Sequence, residues 1–200
     1  MTSILKADDI QDSSGNNIIN ESGDVITIGG SGDTINVASG ATNNLGITEA
    51  DQWRWTADFT GNAEPVTANW ERNDTSFDKI GTGMSESSGI FTFPSTGIYL
   101  VSTRTFYYLN GDSRYNEIVI RLSTDGGSGY SSIAYGYTSI SNNTSNTTYA
   151  NASTEAMIDV TNTSNFRVAV SITHGDTNTT VAGNSGSNNN ATTFIRLGDT

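Results

Sequence analysis

The chain contains no cysteine, so neither a disulfide framework nor a thiolate metal site is available to it. A single histidine, His174, rules out a zinc centre built from several imidazoles and leaves little for general acid–base work. Basic residues are scarce: 9 Lys and Arg stand against 21 Asp and Glu, for a net charge of −12 and a pI near 4.2. Such a field repels phosphate backbones, so no nucleic-acid partner is expected. Apolar residues make up only 34% of the chain, too little for a large conventional core. No window approaches the ~18 consecutive apolar residues of a transmembrane helix, so membrane insertion is not expected. The opening MTSILKADDI has neither an apolar core nor a cleavage site, and no signal peptide is expected. The Gly-rich run Gly126-Gly127-Ser128-Gly129 lacks the lysine and helix of a phosphate loop, so no cofactor is assigned.

What the chain does have is short alternating apolar runs separated by Asn, Ser, Thr and Gly. That pattern fits an all-β protein whose sheets have a wet face or whose core is shared between copies. Residues 89–109, GIFTFPSTGIYLVSTRTFYYL, carry it most clearly. Phe91 and Phe93 alternate before a Pro94-Ser95-Thr96-Gly97 turn; Tyr99, Val101, Thr103, Thr105 and Tyr107 alternate after it. Period two with aromatic and β-branched residues predicts strands with one buried face. Pro94 cannot donate to a ladder, so pairing should break there, and Gly97 supplies the permissive bend.

This stretch resembles the central strand motif of the complement one-q globular head, within the tumour-necrosis-factor-like jelly-roll superfamily. Strand-like segments at 116–122, 156–160, 166–170 and 193–197 follow in the order that the resemblance requires. It covers about residues 50–200 and implies an antiparallel jelly-roll sandwich that assembles as a homotrimer. The sequence departs from the family pattern at Asn162-Thr163-Ser164-Asn165, where a Gly-Asp pair is usual. Secreted animal heads of this kind often carry disulfides, so their absence points to a microbial or viral source.

Ahead of the head, residues 23–29 and 32–38 repeat with an offset of nine, matching Ile26 to Ile35 and Ile28 to Val37. A unit this small cannot bury its apolar face alone. Stacked copies from three chains would place Ile26, Ile28, Ile35 and Val37 around a common axis. Residues 3–40 resemble the N-terminal segment of marine bacteriophage tail-fibre and other virion structural proteins. The expected organisation is thus a trimeric β stem and virion anchor at 1–48 and a jelly-roll head at 49–200.

No catalytic set emerges. His174 is expected at the surface, at a strand end beside the Gly175-Asp176 loop. Asp58, Glu64, Glu71, Asp74 and Asp78 could supply a paired-carboxylate site, but nothing sets two of them across a cleft, and a solvated acidic surface is expected. No Asp-x-Asp-x-Asp-Gly loop is present, and no metal is assigned. Tyr107, Tyr108, Tyr115, Tyr135 and Tyr137 crowd the middle of the chain, and they suit either a protomer interface or a ligand platform. Segments 139–155 and 176–192, rich in Asn, Ser and Thr, read as long loops that could meet a host surface glycan. The expected function is that of a non-enzymatic virion protein: a trimeric tail fibre or spike for host attachment. The alternatives are a capsid decoration protein or head fibre, and a fibre-borne polysaccharide-degrading enzyme.

Overall fold

The computed structural model describes residues 9–11, 13–15, 17–22, 25–30, 32–35, 46–144 and 146–200. The chain divides into two units, Met1–Asn44 and Leu45–Thr200. Within the first lies an antiparallel meander of β1 (Asp9–Gln11), β2 (Asn17–Ser22) and β3 (Val25–Ile28). Its register sets Ile10 opposite Ile19, and Ile19 opposite Ile28. Side chains two apart share a face, so Ile26 joins this row. Ile10, Ile26 and Ile28 are exposed, with Ile26 two-thirds accessible at 67%.

The second repeat does not form the strand expected of it at Thr34 and Ile35. A turn wins there, because Asp33 Oδ2 accepts from the Gly30 amide at 2.6 Å and the Asp33 amide donates back to the Gly30 carbonyl at 3.1 Å. Short-range Asp–backbone bonding of this kind competes with a ladder. Ile35 is exposed. Val37 lies outside the described residues.

The second unit contains β4 (Ala50–Trp55), β5 (Phe59–Thr60), β6 (Trp70–Arg72), β7 (Lys79–Ile80), β8 (Ser85–Ser87) and β9 (Ile90–Thr92). There follow β10 (Gly97–Leu109), β11 (Ser113–Ser123), β12 (Ser131–Ile140), β13 (Thr148–Val160), β14 (Arg167–His174), β15 (Thr180–Val181) and β16 (Ala191–Gly198). One sheet is centred on β10. Strand β13 runs along one side of it; β16 and then β15 share the other, followed by β4 and β5, with β6 and β7 outermost against β4. The facing sheet has the order β12, β11, β14, β9, β8. All pairings are antiparallel, and the chain passes repeatedly between the sheets, which is jelly-roll topology.

The expected alternation in β10 is realised: Tyr99, Val101, Thr103, Thr105 and Tyr107 are all buried between the sheets. Phe91 sits at the centre of an aromatic cluster, with ring centroids 5.6 Å from Trp53, 4.9 Å from Trp70 and 5.1 Å from Phe194. Burying each such side chain is worth roughly 1.5–3 kcal/mol, so concentrated aromatics offset the low apolar fraction.

The ladder of β9 stops at Thr92, two residues before Pro94, and β10 begins at Gly97. Gly97 has φ of 140°, and a Cβ there would lie 2.5 Å from Arg196 Nε and 2.6 Å from the Gly198 carbonyl oxygen. Gly97→Ala is therefore expected to cost about 1–3 kcal/mol, read as a lower urea midpoint at unchanged m value.

Both loop expectations, 139–155 and 176–192, are corrected in part: residues 139 and 140 end β12, Thr180–Val181 form β15, and Ala191 and Thr192 open β16. Residues 148–155, read as part of a long Asn/Ser/Thr loop, belong to β13, which pairs with β10 along thirteen residues. Ala150, Ala152 and Thr154 alternate inward, but their small side chains give little periodic signal. Pairing with a strongly apolar neighbour decides their conformation.

Candidate functional site

The five tyrosines expected to act together fall in three places. Tyr107 is fully buried, with its ring edge-on to His174 at 5.3 Å, and burial pushes its phenol well up. It offers no surface to a ligand or a second copy, so its inclusion is corrected: parity along β10 turns it inward. Tyr108 faces outward on the β10 sheet, 5.8 Å from Tyr149, and donates to Asp58 Oδ2 at 2.6 Å, a bond that raises its pKa. Tyr115, Tyr135 and Tyr137 lie on the outer face of the other sheet and are 44%, 51% and 61% exposed.

That face is a small grid. Tyr137 pairs across to Glu117, which pairs to Thr173; Tyr135 pairs across to Val119, which pairs to Ser171. The Tyr135 and Tyr137 rings are parallel to within 3°, with centroids 6.1 Å apart. Gly136 between them turns inward, where a Cβ would lie 2.4 Å from the Ser153 carbonyl oxygen. Its lack of a side chain lets β12 close on β13 while both rings point out. Thr173 donates to Glu117 Oε1 at 3.1 Å, and the Glu117 carboxylate beside Tyr137 pushes its phenol up to about 12. Glu117→Gln is expected to bring the Tyr137 pKa down towards 10, measured by ultraviolet difference titration against a Tyr137→Phe blank. Ser171 is buried on the same face, and its Oγ has no intramolecular partner.

The outer face of the β10 sheet carries a feature that sequence reading missed. Met157, Leu100, Ile195, Ala50 and Ile80 form one row across β13, β10, β16, β4 and β7. Met157 is 72% exposed, Ile80 43%. The next row is polar, with Glu155, Ser102, Thr193 and Gln52 lining a hollow of about 300 Å³. Further along come Phe106, Tyr108 and Tyr149, the last 70% exposed. A signal was present. Strand β10 carries Ile98, Leu100, Phe106 and Tyr108 at its outward positions, so it reads as apolar on both faces.

The candidate acid–base groups are dispersed. His174 ends β14, at the expected strand end beside Gly175-Asp176, but it is buried rather than at the surface, with Nδ1 3.0 Å from Asn116 Oδ1. Burial lowers its pKa to about 4. Glu71 and Asp74 do meet, but on the Nη2 of the buried Arg54, at 2.5 and 2.9 Å. Both pair with one guanidinium rather than being set against each other across a cleft. Glu64 lies 4.0 Å from Arg121. Among the described residues, no group of three or more His, Asp or Glu side chains could hold a metal ion.

No family model matches the chain, and no curated protein matches it either. Solved structures do. One is murine APRIL at pH 5.0, with a TM-score of 0.54 and 12% identity, covering 74% of this chain and 98% of that one. Another is the Eiger TNF of S. frugiperda, with a TM-score of 0.57 and 14% identity, covering 76% and 93%. The fold is a TNF-like jelly roll. At such identities the likeness shows the fold alone, and the jelly-roll expectation is met. In this TNF-like head, β10 is the central strand of the sheet whose outer face carries the apolar row.

Proposed function

We propose that this chain is a non-enzymatic structural protein of a bacteriophage particle, a homotrimeric fibre or spike whose TNF-like head attaches to the host surface. The observation that carries self-association is the apolar row through Met157, Leu100 and Ile195. An outward apolar row that starts at the exposed Met157 and runs through the half-buried Leu100 and Ile195 marks an interaction surface, and a second copy presenting complementary aliphatic groups would remove it from water. Closed cyclic symmetry lets one sequence bury the same surface three times. The exposed isoleucines of the meander support the same reading for the stem, as does the resemblance of the head to a trimeric family.

The virion assignment is supported by the resemblance of residues 3–40 to phage fibre and virion proteins. In this reading the N-terminal segment engages other virion proteins and the head points outward. Three heads on one stem raise the effective concentration at a repetitive surface. The non-enzymatic part is supported by Arg54, which joins two of the candidate carboxylates, and by a histidine sealed in the core. Immunogold electron microscopy of purified particles, with antibody raised against the head, tests the proposal. Label at the tail tip or tail fibres is the expected result. Label over the capsid would establish the decoration alternative, and particles without label would sink the virion reading.

A further inference from the structure

We propose that the outer face of β11, β12 and β14 is a binding site for neutral, hydroxyl-rich sugar chains, with Tyr135 and Tyr137 as the stacking platform. The inference rests on the attachment reading above and names the ligand class and the surface.

Three observations carry it. First, the two rings are parallel to within 3° and more than half exposed on a face formed by a paired three-stranded sheet. Rigid, parallel aromatic surfaces held by a ladder suit the flat apolar faces of pyranose rings and lose little entropy on binding. Second, the polar groups interleaved with the rings match hydroxyls. Glu117 already accepts from the Thr173 hydroxyl and stands directly across from Tyr137, so its carboxylate is set to accept from other hydroxyls. Ser171 Oγ, on a side chain only 2% exposed, has no partner in the protein and lies in the Tyr135 row. A buried hydroxyl without a partner is unusual and is satisfied by a ligand or ordered water. Third, the charge balance selects against anions. Glu117 lies within the grid, and the chain carries −12 overall. An acidic polysaccharide or an acidic peptide would be repelled.

A second copy of the chain is the less suitable occupant of this face. The apolar row proposed to pack between copies lies on the opposite sheet, whereas here a single exposed aliphatic, Ile133, accompanies the tyrosines and hydrogen-bonding residues.

The test uses the full chain and immobilised gluco-, galacto- and manno-hexaoses, with an alginate hexamer as the anionic control. Saturable millimolar binding to at least one neutral hexaose and none to alginate is expected. The double variant Tyr135→Ala/Tyr137→Ala should weaken that binding about tenfold or more, while Tyr137→Phe, which keeps the ring, should weaken it far less. Both positions are exposed, so thermal unfolding should be unchanged. Failure to bind all three neutral hexaoses, or equal affinity for alginate, would overturn the proposal. So would undiminished binding by the double variant. Sedimentation equilibrium of the same samples separates this idea from the assembly reading. A trimer that binds no sugar removes the site alone; a monomer that binds sugar through Tyr135 and Tyr137 removes the assembly alone. If the double variant instead lowers the oligomeric state, the face belongs to a second copy and the sugar site is wrong.

Discussion

Replacing Leu100 and Met157 together with aspartate is expected to convert the proposed trimer to monomers at micromolar concentration without unfolding the head. The two side chains are directly opposed on β10 and β13, with Met157 at one end of the apolar row and Leu100 next to it. Met157 is 72% exposed in the single chain and Leu100 is half-buried on the outer face, so carboxylates there remain hydrated in the monomer. In a trimer they would be pressed against aliphatic groups. Desolvating an unpaired carboxylate costs several kcal/mol, and even about 4 kcal/mol per interface weakens association roughly a thousandfold. Like charges already disfavour assembly at −12 per chain, which adds to the effect. Sedimentation equilibrium reads the mass, and circular dichroism reads the fold. Tyr135→Asp, on the other sheet, should leave the trimer intact. An aspartate pair that still sediments as a trimer would move the interface off this face. A wild-type monomer would end the assembly reading altogether.

The head is also expected to lose about 2–4 kcal/mol of stability between pH 6.5 and pH 4 through His174 alone. Burial between the sheets holds the imidazole neutral and lowers its pKa from 6.5 to about 4; Asp176 acts weakly in the opposite sense. The unfolded chain binds a proton at this site near pH 6.5, whereas the native state does not until about pH 4. Between those values the unfolded state holds more protons, so unfolding becomes easier as pH falls. Above about pH 6.5 both states are neutral and the contribution is complete; below about pH 4 the loss is finished. Nε2 has no partner in the protein and the Tyr107 ring stands edge-on, so a proton gained there meets no compensating acceptor. His174→Gln keeps a side chain able to bond Asn116 but has no proton to gain. Carboxylates titrate in the same range, so the informative quantity is the difference between wild type and variant. Urea unfolding at a series of pH values should give a steeper acid limb for wild type. Parallel curves would show that His174 is not held neutral by burial.

These two results probe opposite sides of the same strand. Inward positions of β10 build the core that encloses His174, and outward positions build the row proposed to meet a second copy. One side chain shows how little separates the roles: Tyr107 and Tyr108 are neighbours in sequence, yet one is sealed in the core and the other bonds Asp58 at the surface.

By itself the sequence determined the fold class and the inward face of the central strand. Phe91, Phe93 and the alternating residues from Tyr99 to Tyr107 are large or β-branched, so their burial is written at period two, and Pro94 and Gly97 place the break between strands by local sterics. Tertiary structure decided what local pattern cannot carry. Residues 150–154 are small and polar, and they became strand only because thirteen residues of β10 run beside them. Thr34 and Ile35 went the other way, since Asp33 and Gly30 close a local turn there. The apolar row joins residues 50, 80, 100, 157 and 195, and the grid joins Glu117, Tyr137 and Thr173. Such distant positions meet only through the register of antiparallel pairs, and register is set by the packing of whole strands against a shared core.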